Sequence, residues 1–129
     1  MMSDFPEDLR YSSEHEWVRV GNSGVARIGI TAYAAEQLGD IVYAQLPEPG
    51  EEISAGDAVG ELESTKSVSD LFTPVSGVVS AVNESLADSP ETINAEPYGD
   101  GWLFEVELSD TDALDELLDA DSYAESVSS

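Results

Sequence analysis

The chain lacks cysteine, has one histidine, and sets four basic residues against 28 acidic ones over 129 residues. Without cysteine there is no disulfide framework, thiol nucleophile or zinc ribbon. A Ser-His-Asp hydrolase would need His15, which sits between Glu14 and Glu16 with no G-x-S-x-G signature elsewhere. A structural role for His15 is expected. No D-x-[DN]-x-[DN]-G run marks a calcium loop, and no G-x-x-x-x-G-K-[ST] loop is placed to cradle phosphate. No metal ligands are assigned. No apolar run approaches the roughly 20 residues of a membrane helix. Residues 1–10 are polar and acidic, with neither an apolar signal core nor an Arg-rich transit pattern. A net charge of -24 disfavours nucleic acid and anionic membranes as partners. The expectation is a soluble, cytoplasmic, single-domain protein spanning residues 1–129.

The basic residues are Arg10, Arg19, Arg27 and Lys66, and the acids run the whole length of the chain. The charge therefore belongs to a folded surface and not to a tail. Such a surface suits molar salt, where the Debye length falls to about 3 Å and carboxylate repulsion is screened. The composition predicts a protein of a salt-accumulating halophile, one that loosens in dilute buffer. It also isolates one lysine. A primary amine can be acylated, or act as base or Schiff-base nucleophile, where a guanidinium cannot. The competing reading is a surface ion pair worth about 0–1 kcal/mol.

Along the chain, Glu16–Val20 and Val25–Ile30 flank a Gly21-Asn22-Ser23-Gly24 turn and read as a β-hairpin, with Val18 and Val20 on one face and Ala26, Ile28 and Ile30 together. Thr31 is placed to cap a short helix that Gly39 closes. Residues 41–46 return to strand character and end at Pro47-Glu48-Pro49-Gly50. Residues 52–62 read as a strand pair broken at Ser54-Ala55-Gly56-Asp57. Residues 59–72 read as a hairpin with a polar apex, its turn looser than a two-residue primed turn because no Asn-Gly is present. Residues 78–82 form another strand, and residues 83–101 are irregular, with Ile93 and Tyr98 as anchors. Residues 102–108 alternate, placing Trp102, Phe104, Val106 and Leu108 toward a core. Asp110 opens a C-terminal helical segment of about residues 110–125, with Ala113, Leu114, Leu117 and Leu118 as its apolar stripe. Many short strands with Gly/Pro turns predict a mainly β sandwich or barrel.

Lys66 falls at the apex of the 59–72 hairpin, where no large apolar side chain from Glu63 to Ser67 anchors it in a core. A Schiff-base lysine needs a desolvated pocket to lower its pKa. An exposed apex among Glu61, Glu63 and Asp70 offers none. What remains is an amine presented in water, suited to carrying a group covalently.

The stretch Gly60-Glu61-Leu62-Glu63-Ser64-Thr65-Lys66-Ser67-Val68-Ser69-Asp70, followed by Pro74-Val75-Ser76-Gly77, resembles the lipoylation hairpin of glycine cleavage system H proteins. Tyr11 and His15-Glu16-Trp17-Val18 are similar to that family's opening. Its middle is matched by Ile28-Gly29-Ile30-Thr31, Leu38-Gly39-Asp40-Ile41-Val42 and Leu46-Pro47-Glu48-Pro49-Gly50, and its end by Ile93-Asn94 and Pro97-Tyr98-Gly99-Asp100-Gly101-Trp102. Gly50 and Gly77, 16 residues before and 11 after Lys66, fall where lipoyl carriers place turn glycines.

The resemblance implies a barrel-sandwich hybrid with a short internal helix and a C-terminal helical segment. It implies a carrier that is not itself an enzyme, with lipoate joined to Lys66 by an amide. Its role in glycine catabolism and one-carbon metabolism would be to pass an aminomethyl group between enzymes. These are the pyridoxal-phosphate-dependent glycine decarboxylase and the tetrahydrofolate-dependent aminomethyltransferase. Dihydrolipoamide dehydrogenase would reoxidise the arm, and a lipoate-attaching enzyme would install it. By the same resemblance Glu63 assists recognition during lipoylation, and Glu16 and Asp70 face the cleft where the aminomethylated arm docks. Glu14 departs from a smaller hydroxyl residue of some relatives, and Ser67 and Val68 depart from Ala-type residues after the lysine. Biotin carriers flank their lysine with methionine, unlike Thr65 and Ser67, and 2-oxoacid dehydrogenase lipoyl domains carry Asp-Lys-Ala at the tip. An H-like protein that only relays lipoyl groups, or another non-catalytic carrier or binding module, stays open.

Overall fold

The structure, a computed structural model, describes residues 8–21, 24–109, 114 and 117–128. Two antiparallel sheets face each other, and neither closes into a barrel. The larger has six strands in the order β1-β2-β3-β9-β8-β5, and the smaller three in the order β4-β6-β7. The strands are β1 Arg10–Tyr11, β2 Glu16–Val20, β3 Val25–Ile30, β4 Ile41–Gln45, β5 Glu52–Ile53, β6 Ala58–Ser64, β7 Val68–Phe72, β8 Gly77–Val82 and β9 Phe104–Leu108. Helices α1 Ala32–Leu38, α2 Thr92–Ala95 and α3 Ala120–Ser128 complete the fold. The mainly β architecture matches the expectation.

Period-two patterning builds the core. Ala26, Ile28 and Ile30 of β3 are buried with Phe104 and Val106 of β9, and Leu62 and Leu71 of the smaller sheet join the same cluster. The β2–β3 hairpin forms as read, and its register pairs Val18 with Ile28. Val18 is buried, whereas Val20 at the strand end is exposed. α1 also forms as read: the Thr31 hydroxyl accepts the Ala34 N–H, and the Gly39 N–H bonds to the Ala35 carbonyl.

Four expectations need correction or extension. β5 and β6 do not pair with each other. The turn at Gly56, where φ is 93°, sends the chain across, so β5 joins β8 and β6 joins β4 and β7. Residues 83–101 are more regular than read, holding a 3-10 turn at Glu84–Ala87 as well as α2. Ile93 is buried as expected, and Tyr98 packs on a second cluster. Leu103, not Trp102, is the buried residue before β9; Trp102 is half-buried with the Arg27 guanidinium 4.5 Å above its ring. Gly77 is no turn residue: it opens β8, and a side chain there would collide with the Glu107 carbonyl of β9. Gly50 does sit in a turn, at a φ of 93°.

At the C-terminal end the described helix is α3. Residues 110–113, 115 and 116, including the proposed opening at Asp110, lie outside the described residues. Leu114 and Leu117 pack against the main core, but Leu118 pairs with Tyr11 as a β-bridge and is not helical. α3 then lies over the outer side of the larger sheet. Its Tyr123 stacks on Tyr11, ring centroids 4.8 Å apart, within a cluster of Leu9, Tyr11, Trp17 and Ala120.

Candidate functional site

Lys66 stands at the exposed apex between β6 and β7. Ser64 shapes the turn. Its buried hydroxyl accepts the N–H groups of Lys66 and Ser67 at 3.1 and 3.0 Å, and its own N–H bonds to the Ser67 carbonyl. The apex is solvated, yet its base is tied down. The Thr65 N–H bonds to the Asp40 carbonyl at 3.0 Å, docking the turn on the corner between α1 and β4. Asn94 of α2 locks that corner: its side chain donates to the Gly39 carbonyl at 2.9 Å and accepts the Ile41 N–H at 2.8 Å. Gly39, at a φ of 89°, leaves room for the lysine stem, since a Cβ there would lie 2.8 Å from Lys66 Cε. The result is a hydrogen-bonded turn that presents an exposed lysine.

Glu63 lies on the outward face of β6, exposed, opposite Tyr43 of β4 and Val68 of β7. Glu16 and Asp70 come together elsewhere. With Glu14, both line a cleft of about 280 Å³ whose walls are α1, the β1–β2 turn, and Leu62, Ser69 and Leu71 of the hairpin. Glu63 and Lys66 are not part of that lining. A larger hollow of about 770 Å³ lies on the other flank of α1, toward α2.

The β1–β2 turn aims the acids. Ser12 accepts the N–H groups of Glu14 and Glu16 through its hydroxyl, and His15 occupies a left-handed conformation with φ of 73°. The His15 ring is held by a 2.8 Å hydrogen bond to the Tyr123 hydroxyl, itself 2.8 Å from the Thr31 hydroxyl. Burial lowers the His15 pKa against the pull of Glu14, and burial raises that of Tyr123 to about 12. His15 is thus anchored to the fold through Tyr123, and its ring also lines the cleft.

Glu16 is only 3% exposed. Its carboxyl takes a 2.7 Å hydrogen bond from Ser12, and the nearby Phe72 backbone also favours the charged form. Desolvation dominates over both, and with Glu14 nearby the pKa rises to about 8. The cleft therefore holds one buried acid, whose neutral form burial favours, beside two exposed ones. That arrangement offers carboxyl acceptors to a cation. The sequence did not reveal Asn94 or Tyr123 as supports. The partners of Asn94 are 53 and 55 positions away and Thr31 is 92 from Tyr123, so no local spacing signals them.

A small two-sheet β domain that raises one lysine on a braced hairpin defines a covalent-carrier protein. The family model described as glycine cleavage H-protein matches residues 9–129, and the chain belongs to that family. It is 54% identical to the glycine cleavage system H protein of Micrococcus luteus, covering 98% of this chain and 100% of that one. It is 56% identical to the protein of the same description from Nocardia farcinica, covering 95% and 96%. The crystal structure of a glycine cleavage system H protein from Mycobacterium marinum superposes with a TM-score of 0.89 at 45% identity, covering 97% of this chain and 100% of that one.

Proposed function

We propose that this chain is the lipoyl-carrying shuttle of a glycine cleavage system, a single carrier domain with lipoate attached to Lys66. It passes the aminomethyl group of glycine from the decarboxylase to the aminomethyltransferase, and dihydrolipoamide dehydrogenase resets it. The observation that carries the reading is the chain's sole lysine, exposed at the tip of a braced hairpin in a chain that matches the H-protein family from residue 9 to 129. When attached, the group supplies a dithiolane sulfur as the acceptor of the aminomethyl carbon. The chain's own residues perform no bond chemistry in this reading. Ser64, Asp40 and Asn94 hold the attachment point still, so that motion is confined to the arm. Glu14, Glu16 and Asp70 offer acceptors to a cationic cargo, and the cleft walls limit water around it. Glu63 serves the attaching enzyme. Amide formation removes the lysine's charge, and the tether raises the arm's effective concentration at each partner's site.

Among the described residues no helix is long and apolar enough to cross a membrane. The acidic composition supports a cytoplasm rich in salt as the setting. The test is glycine–bicarbonate exchange reconstituted with the decarboxylase. Lipoylated protein supports exchange, and Lys66→Arg is inert because a guanidinium cannot take the amide. Exchange that persists with the Arg variant overturns the assignment.

A further inference from the structure

The smaller sheet exposes apolar side chains in a pattern its pairing does not require. Among the described residues the three most exposed large hydrophobics are Val68 at 57%, Tyr43 at 55% and Val42 at 48%. All three lie on this sheet. Cross-strand register sets Tyr43 opposite Glu63 and Glu63 opposite Val68, so the three side chains form one row on one face. A register shift between Ile41 and Tyr43 leaves Val42 as an extra residue. Such a bulge re-aims side chains out of strict alternation, and here Val42 and Tyr43 are both exposed. The row borders the apex: Ser64 follows Glu63, and the turn of Thr65, Lys66 and Ser67 leads to Val68. Glu61 lies two residues back on the same strand face, exposed as well.

We propose that the row Tyr43–Glu63–Val68, widened by Val42, is the docking surface for the enzyme that acylates Lys66. This inference rests on the lipoyl-carrier reading above and names the residues that one partner uses. Two features commit the row to that partner. The first is reach. Before modification only a four-carbon stem separates the amine from the backbone, so the acylating enzyme's surface must come down onto the residues beside the apex. Enzymes that act on the finished arm can stand further off. The second is chemistry. Two apolar side chains flank a carboxylate within a surface of net charge -24, which fits an apolar patch edged by Arg or Lys at the mouth of the partner's acyl site. There the amine nitrogen attacks the carbonyl carbon of an activated acyl donor. The C–N bond forms as the bond to the phosphate or sulfur leaving group breaks, and the nitrogen loses its proton.

The test uses full-length unlipoylated protein with a lipoate–protein ligase, lipoate and magnesium ATP, following the lipoyl mass increment by intact-mass spectrometry. Tyr43→Thr and Val68→Thr place a strand-compatible β-branched side chain at each position, and Val78→Thr, at an exposed valine of the larger sheet, is the control. Circular dichroism verifies that each variant is folded. Each row variant is expected to raise KM roughly tenfold with kcat little changed, while the control stays within about twofold of wild type. Wild-type rates for both row variants overturn the row. A wild-type protein that itself gains no mass sinks the lipoyl-carrier reading instead, which keeps the two failures apart. Variants lipoylated to completion are expected to support glycine–bicarbonate exchange at wild-type rates. An exchange defect as large as the acylation defect overturns the assignment to the acylating enzyme.

Discussion

The cations of this chain divide by chemistry. Both ion pairs among the described residues are made by arginines, Arg27 with Glu105 at 2.8 Å across β3 and β9, and Arg19 with Asp8 at 4.0 Å. Arg19 and Arg27 also lie over the rings of Trp17 and Trp102. A planar guanidinium suits such stacking and forked pairing, whereas the lysine is left on a turn where its amine is accessible. Glu16 is the other residue with an unusual state. Its pKa rises from 4.5 to about 8 on folding, so the native protein keeps a proton that the unfolded chain releases once pH passes the ordinary carboxyl range. The unfolded state then binds fewer protons, and this group makes stability fall as pH rises from about 4.5 to about 8, by at most about 1.4 kcal/mol per unit. Glu16→Gln retains an acceptor for Ser12 and removes the titration. Denaturant unfolding of both proteins across that window is expected to show the variant gaining relative stability as pH rises. Parallel pH profiles would contradict a buried, protonated Glu16.

At the scale of elements, the hairpin works because a separate corner supports it. Asn94 saturates Gly39 and Ile41 on either side of Asp40, and Asp40 in turn accepts Thr65. Asn94→Leu leaves the Ile41 N–H and Gly39 carbonyl without that partner, a cost of about 1–3 kcal/mol. Hydrogen exchange at Ile41 and Thr65 is expected to accelerate in that variant, with Ala26 in β3 unaffected. Unchanged protection at Thr65 would mean the apex is not braced from this corner. Much of this level was legible in the sequence. β2, β3, α1, β4 and the β6–β7 hairpin follow from alternation, a Thr cap, closing glycines and a polar apex, all of them local signals. The partnering of β5 and β6 was not legible, because strand pairing is decided by which sheet each strand reaches after Gly56. Nor was the turn to Leu103 as the buried residue. Alternation assigns Trp102 to the core with Phe104, and only the stacking of Arg27 on its ring shows why it stays half-buried. At the site, the lysine and its hairpin were readable, and the resemblance suggested Glu16 and Asp70. The bulge at Val42 and the Asn94 clamp depend on contacts that residue spacing does not encode.

At the scale of the molecule, 28 acids on a 129-residue chain impose self-repulsion that only a small number of arginine pairs offsets locally. Screening by salt should therefore stabilise the fold. Thermal unfolding followed by circular dichroism is expected to shift to higher temperature and sharpen as potassium chloride rises from dilute buffer to molar levels. Full cooperative folding unaffected by removing salt would count against the halophile reading. The two-sheet frame, the clamped corner and the polar apex support the proposal made above, that Lys66 is an attachment point and not a surface charge. Reconstituted glycine–bicarbonate exchange with lipoylated wild-type protein and Lys66→Arg tests that claim most directly. The account predicts exchange with the first and none with the second, with a lipoyl mass increment present only in the first. Exchange by Lys66→Arg, or wild-type activity without the increment, would contradict it.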